Sequence, residues 1–230
     1  MRHLPAAFAA AVLLAAPALA QPVVRSGFDT RPGERVRQLA AGQTIDGWTV
    51  TGPGRRSVTL VSGDLFEPAV MFNAGEGAGA LDLTGSGNQG ARAGIFRDVA
   101  TVAGFTYDLF FLLGNATGSV GGADGNSFAY RGASSVALSI GGVGAGVFTN
   151  AAVSPNAVDW RGFSHRFVAA GATTRIAFNN ATPASDNYLG LDAVAVAAVP
   201  EPAAWALMIG GVGAVGGALR RRRAPRAALA

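Results

Sequence analysis

For chemistry this 230-residue chain offers one histidine in its body, His165, together with thirteen acids, no cysteine and no lysine. His165 alternates with Phe163 and Phe167, the position of a packed core or rim residue on a strand. With one His and no Cys there is no ligand set for zinc or copper and no thiol nucleophile. Glycosidic hydrolysis needs two carboxylates across a cleft, and the spacing of the acids selects no such pair. Asp124-Gly125-Asn126-Ser127 has the composition of a calcium loop but is too short for one, and reads as a tight turn. No catalytic residue is predicted, and the chain is expected not to be an enzyme.

The elements that would position any site lie between two targeting segments. Arg2 and His3 precede an apolar run, residues 6–16, which closes on the small-residue triplet Ala18-Leu19-Ala20. This is the pattern of a secretory signal peptide over residues 1–20, directing export by the Sec machinery and cut by signal peptidase after Ala20, with Ala18 and Ala20 as the small residues of the cleavage site. At the other end, residues 203–219 carry no charge and run directly into Arg220, Arg221, Arg222 and Arg223. Their length is the short limit of a transmembrane helix. Gly210, Gly211, Gly213, Gly216 and Gly217 would weaken that helix in water, but in lipid a helix is what satisfies the backbone. The arginines then keep the tail, residues 224–230, in the cytoplasm.

These segments also explain the charge. The net charge is +4, yet 12 of the 18 arginines and 13 of the 14 acids lie in the body, which is left at −1. The basicity is topological, and nucleic acid is not an expected partner. The body, residues 21–198, is long enough for one core and, without cysteine, is expected to be held by packing alone.

Within the body, apolar residues recur with period two: Trp48 and Val50; Val58 and Leu60; Leu81 and Leu83; Phe105, Tyr107, Leu109 and Phe111; Val136, Leu138 and Ile140; Phe163 and Phe167; Ile176 and Phe178; and Leu191 beside Val194 and Val196. This predicts an all-β fold, an antiparallel β-sandwich of the jelly-roll type. Glycine-rich stretches at 75–79, 85–94, 114–125 and 141–146 are expected to be loops. Prolines in residues 197–202 end the last strand before the tail.

From residue 199 to 223 the order is Pro200-Glu201-Pro202, a small-residue spacer with Trp205, the apolar stretch and the arginine cluster. This resembles the PEP-CTERM sorting signal of exosortase substrates. The resemblance implies recognition by a membrane-embedded exosortase, with transient anchoring in the inner membrane by the C-terminal helix. Delivery to the cell surface or extracellular matrix of a bacterium that makes exopolysaccharide and biofilm would follow.

The body more loosely resembles the choice-of-anchor C surface domains, similar to galactose-binding-like jelly rolls. The resemblance rests on Ser26-Gly27-Phe28-Asp29, Ile45-Asp46-Gly47-Trp48, Ala80-Leu81-Asp82-Leu83, Phe105-Thr106-Tyr107-Asp108, Trp160 and Gly190-Leu191-Asp192-Ala193-Val194. It implies a structural calcium at Asp29 and Asp192, clipping the first strand to the last, and no other cofactor. It also implies glycan contact through exposed aromatics, for which Trp160 and Tyr188 are favoured, Tyr130 is an alternative and Trp48 is expected in the core. The function expected is that of a non-enzymatic surface or matrix protein associated with exopolysaccharide. The alternatives are a carbohydrate-active hydrolase and an ice-binding or adhesion protein, and no regular Thr repeat supports ice binding.

Overall fold

The computed structural model describes residues 22–53, 57–67, 70–85, 93–121, 127–154, 156–183, 188–200 and 202–222. The signal segment and residues 124–126 of the expected turn lie outside them, and Ser127 begins a strand. Along the chain run β1 (Pro22–Ser26), β2 (Val36–Leu39), β3 (Thr44–Ile45), β4 (Trp48–Thr51), β5 (Val58–Ser62), β6 (Leu65–Glu67), β7 (Val70–Phe72), β8 (Gly79–Asp82) and β9 (Gly94–Ala100). Then follow β10 (Thr106–Ala116), β11 (Gly118–Gly121), β12 (Ser127–Tyr130), β13 (Ser134–Ile140), β14 (Val143–Asn150), β15 (Val158–Val168), β16 (Thr173–Asn180) and β17 (Gly190–Ala198).

Alternation sets the architecture, an antiparallel β-sandwich. One sheet is ordered β15-β10-β17-β8-β5-β2, with β1 paired to β17; the other is ordered β14-β13-β16-β9-β4-β3. The inward residues of both, among them Trp48, Ile95, Leu109, Phe111, Leu138, Phe178 and Leu191, are fully buried and form the main core. Phe111 packs edge-on to Phe178 at 5.0 Å and to Phe148 at 5.2 Å. Phe163 and His165 sit at the rim of this core, where Phe148 meets the imidazole at 6.4 Å. The compact unit spans Pro22–Val199.

Local chemistry accounts for the irregular points. Asp46-Gly47, both at positive φ (48° and 77°), make the two-residue hairpin turn between β3 and β4. Leu191 and Val194 are out of period by one, and a bulge absorbs the extra residue: Ala193 takes φ 49° and the β10–β17 register shifts there.

Two expected loops prove to be strand. In 114–125, Gly114 to Ala116 complete β10 and 118–121 form β11; in 141–146, only Gly141-Gly142 turn, at φ 60° and 84°, and β14 follows at once. Glycine there marks close packing and an edge strand as well as turns.

The hairpin β6–β7 does not join either main sheet. Its Leu65, Val70 and Phe72 gather with Val61, Ala116, Val158 and Tyr188 in a second, smaller core, against which Tyr130 and Trp160 pack.

The tail forms a 21-residue helix, α1 (Pro202–Arg222), where the sequence predicts one. Among the described residues no helix is long and apolar enough to cross a membrane.

Candidate functional site

Cross-strand registers place functional side chains in rows on the outward face of the first sheet. One row runs Arg25, Ala195, Phe110, Ser164 across β1, β17, β10 and β15. A second runs Asp192, Leu112, Gly162, and a third Asp82, Gly190, Gly114, Trp160. On the other side of Phe110, Ala197, Asp108 and Arg166 form a fourth.

The third row is closed. A side chain on Gly114 would meet Trp160 at 2.9 Å, and one on Gly190 would meet both Tyr188 at 2.7 Å and Trp160 at 2.8 Å, so only glycine leaves room for these rings. The Trp160 indole N–H donates to the Asn73 carbonyl at 2.9 Å, and Tyr188 is 2% exposed with its ring 5.2 Å from Phe72. The structure therefore corrects the expected glycan contacts. Tyr188 is a core residue, and Trp160 is half-buried with its indole N–H already bonded. Trp48 is in the core as expected, its N–H donating to Ser26 Oγ.

Two carboxylates lie beside this second core, Asp192 fully buried and Asp82 half-buried. Asp82 Oδ1 accepts the Thr84 N–H and hydroxyl and the Leu189 N–H, yet burial outweighs these bonds and raises its pKa to about 6. Asp192 Oδ2 accepts the Gly75 and Glu76 N–H groups at 2.9 and 2.8 Å, and its Oδ1 accepts that of Ala193 at 2.7 Å. Burial again prevails, and its pKa rises to about 7. Burial, then Asp82, Asp192 and Tyr130, push the Tyr188 phenol well above its usual value.

Asp29 and Asp192 do share a partner, the loop 75–78, but each holds it through main-chain N–H; Asp29 Oδ1 accepts from Ala78 at 2.6 Å. Calcium takes six to eight oxygens. Three lone-pair positions on Asp192 are filled by amides, and among the described residues no group of three or more His, Cys, Asp or Glu could hold a metal ion. These residues do not fit the expected cation, and the clip is made by hydrogen bonds.

What remains open on this face is the shelf around Phe110. Its ring lies across Gly162, where a Cβ would meet it at 3.1 Å, and 42% of the residue is exposed. Asp108 and Arg166 form a two-bond pair at 2.7 and 2.9 Å on one side, and Arg25 pairs with Glu76 near the other. The Arg166 guanidinium holds Asp108 below the usual carboxylate range. Phe110 was legible in principle: if Phe111 faces the core, its neighbour must face out.

Across the loop 73–78 lies a cleft of roughly 580 Å³ lined by residues of the β1–β2 loop, the turn 62–64 and the loop itself. Of its two acids, Glu34 pairs with Arg37 at 2.9 Å, and Asp64 accepts the Ser62 hydroxyl on one of its two oxygens.

The body is thus an antiparallel β-sandwich that carries buried carboxylates, an exposed aromatic shelf and a polar cleft. The chain's C-terminal residues 198–223 match the PEP-CTERM protein-sorting motif, which marks an exported, exosortase-sorted cell-surface protein. The match contains Pro200, Glu201, Pro202 and Arg220 to Arg223. No curated protein matches the chain. Among solved structures it is similar to the K3 cleaved adhesin domain of Lys-gingipain from Porphyromonas gingivalis (12% identity, 77% of this chain and 98% of that one, TM-score 0.47). It is also similar to the CBM22-1 xylan-binding domain of Xyn10C from Paenibacillus barcinonensis (14%, 81% and 99%, TM-score 0.43). A third is TmCBM61 in complex with β-1,4-galactotriose (12%, 65% and 86%, TM-score 0.40). Scores of this size carry no argument about what this chain binds.

Proposed function

We propose that this protein is a non-enzymatic component of the cell surface or extracellular matrix that holds polysaccharide on the outward face of its larger sheet. The observation that carries the reading is the Phe110 shelf: a residue 42% exposed, its ring packed over Gly162, beside Ser164 and the Asp108–Arg166 pair. Sugar rings stack on flat apolar surfaces, and the paired charges supply hydrogen-bond donors and acceptors without net charge. The acids support the non-enzymatic reading. Those lifted by burial, Asp82 and Asp192, are gripped by backbone amides, while those in the cleft, Glu34 and Asp64, are tied to Arg37 and Ser62. Before processing, the uncharged segment 203–219 with its arginine cluster holds the chain in the inner membrane, after removal of residues 1–20.

The test is a pull-down of the full-length protein on a panel of immobilised neutral and acidic polysaccharides. Phe110→Ala is expected to weaken capture roughly tenfold, as loss of a stacking platform should. Capture by no glycan of a broad panel, or capture indifferent to Phe110, overturns the reading.

A further inference from the structure

The cleft beside the shelf is built from three pieces that hold one another. The Ser62 N–H donates to the Arg35 carbonyl at 2.9 Å, tying the turn to the β1–β2 loop. Gly63 N–H donates to the Ala78 carbonyl at 2.9 Å, and the Thr30 hydroxyl donates to the same oxygen at 2.9 Å, so the third piece is tied to both others. Asn73 forms a fixed wall, its amide exchanging two bonds with the backbone of Val158. The cleft is therefore preformed, and its volume is that of a small-molecule site.

Its charges are unevenly used. Among the described residues, neither Arg31 nor Arg35 has a side-chain ion-pair partner, although Arg25, Arg37, Arg166 and Arg175 all do. Both unpaired arginines line the cleft. Asp64, on the turn 62–64, accepts the Ser62 hydroxyl on one carboxylate oxygen and keeps the other. The cleft is thus lined by two arginines without ion-pair partners and by a carboxylate with an acceptor to spare, within one concave surface. A guanidinium recognises a carboxylate through two parallel bonds, and a free carboxylate oxygen accepts from a sugar hydroxyl. A dianionic phosphate would gain from the arginines but meet Asp64 and Glu34; a singly charged, hydroxyl-rich group satisfies all of them.

We infer that this cleft binds the carboxylate-bearing ring of an acidic polysaccharide, a uronic acid residue, with Arg31 and Arg35 on the carboxylate and Asp64 on a hydroxyl. This rests on the proposed polysaccharide-binding function and narrows its ligand from glycans in general to acidic ones.

The experiment is titration calorimetry of the full-length protein in detergent micelles with oligogalacturonate and, separately, with a neutral cello-oligosaccharide of the same length. The uronate is expected to bind more tightly than the neutral chain, and raising NaCl should weaken it. The double variant Arg31→Gln/Arg35→Gln should lose roughly tenfold or more in uronate affinity with neutral binding unchanged, and Arg31→Lys/Arg35→Lys should recover part of it. Both arginines are exposed, and a melting curve confirms that each variant is folded. Uronate binding that survives the double variant but vanishes in Phe110→Ala overturns this inference and leaves polysaccharide binding standing. So does equal, salt-independent binding of both sugars. Binding of neither overturns this inference, while the polysaccharide reading falls only if the whole glycan panel fails as well.

Discussion

Asp82 enters the folded protein beside the second core, where burial lifts its pKa from 3.8 to about 6, and Asp192 is lifted to about 7 under the loop that it grips. Between about pH 4 and pH 7 the folded chain therefore holds protons that the unfolded chain has released. Stability from these two groups is complete at low pH and is lost as pH rises through 6 and then 7. At pH 8 the loss is bounded by the shifts at on the order of 3 kcal/mol for Asp82 and 4 kcal/mol for Asp192. Asp98 and Asp108, held low by Arg175 and Arg166, lose their contribution only below the ordinary carboxylate range and do not act in this window. The melting temperature is expected to be higher at pH 5 than at pH 8 by several degrees. Asp82→Asn keeps an oxygen for Thr84 and Leu189 and removes the buried charge, so it should raise the pH 8 value and narrow the gap. A gap of the same size in the variant would show that Asp82 is not its source.

The third outward row turns on a packing constraint carried by two strands and a loop. Trp160 from β15 and Tyr188, just ahead of β17, meet over Gly190, and the β6–β7 hairpin closes the group from outside. A methyl group on Gly190 has no space, since Tyr188 and Trp160 lie 2.7 and 2.8 Å from where it would stand. Gly190→Ala should cost about 1–3 kcal/mol through overpacking, with a shift in tryptophan fluorescence as Trp160 moves. An unchanged melting curve and spectrum would mean that the second core is loose enough to repack. The same constraint explains what alternation did and did not reveal. Strands β4, β5, β10, β13 and β16 were legible because every second residue is apolar and buried. Strand β14 was not, because its Val143-Gly-Ala-Gly sequence at an exposed edge has no inward period to show. The burial of Tyr188 was not legible, since nothing local reports that a hairpin more than a hundred positions earlier covers it. The cleft was hidden for a similar reason, as Arg31 and Arg35 on the β1–β2 loop and Asp64 on the turn 62–64 are brought together only by the pairing of β2 with β5.

At the scale of the whole body, an exported domain of this size without a disulfide must keep its first and last strands from fraying. It does so by pairing β1 with β17 over residues 22–26 and 194–197, and by having Asp29, just after β1, and Asp192, within β17, hold one loop between them. Both carboxylates make this closure through main-chain N–H donors. Treatment of the protein with EGTA, followed by excess Ca²⁺, is accordingly expected to leave the melting temperature unchanged. Asp192→Asn should behave differently at pH 5, where the carboxyl is protonated and no buried charge is removed: its amide would turn a donor toward the Gly75 and Glu76 N–H groups or abandon the Ala193 N–H, at a cost of about 1–3 kcal/mol. Together the two measurements separate the possibilities. A melting temperature that falls with EGTA and returns with Ca²⁺ would place an ion between Asp29 and Asp192 after all. Stability indifferent to chelation but lowered in Asp192→Asn is the signature of a hydrogen-bonded clip.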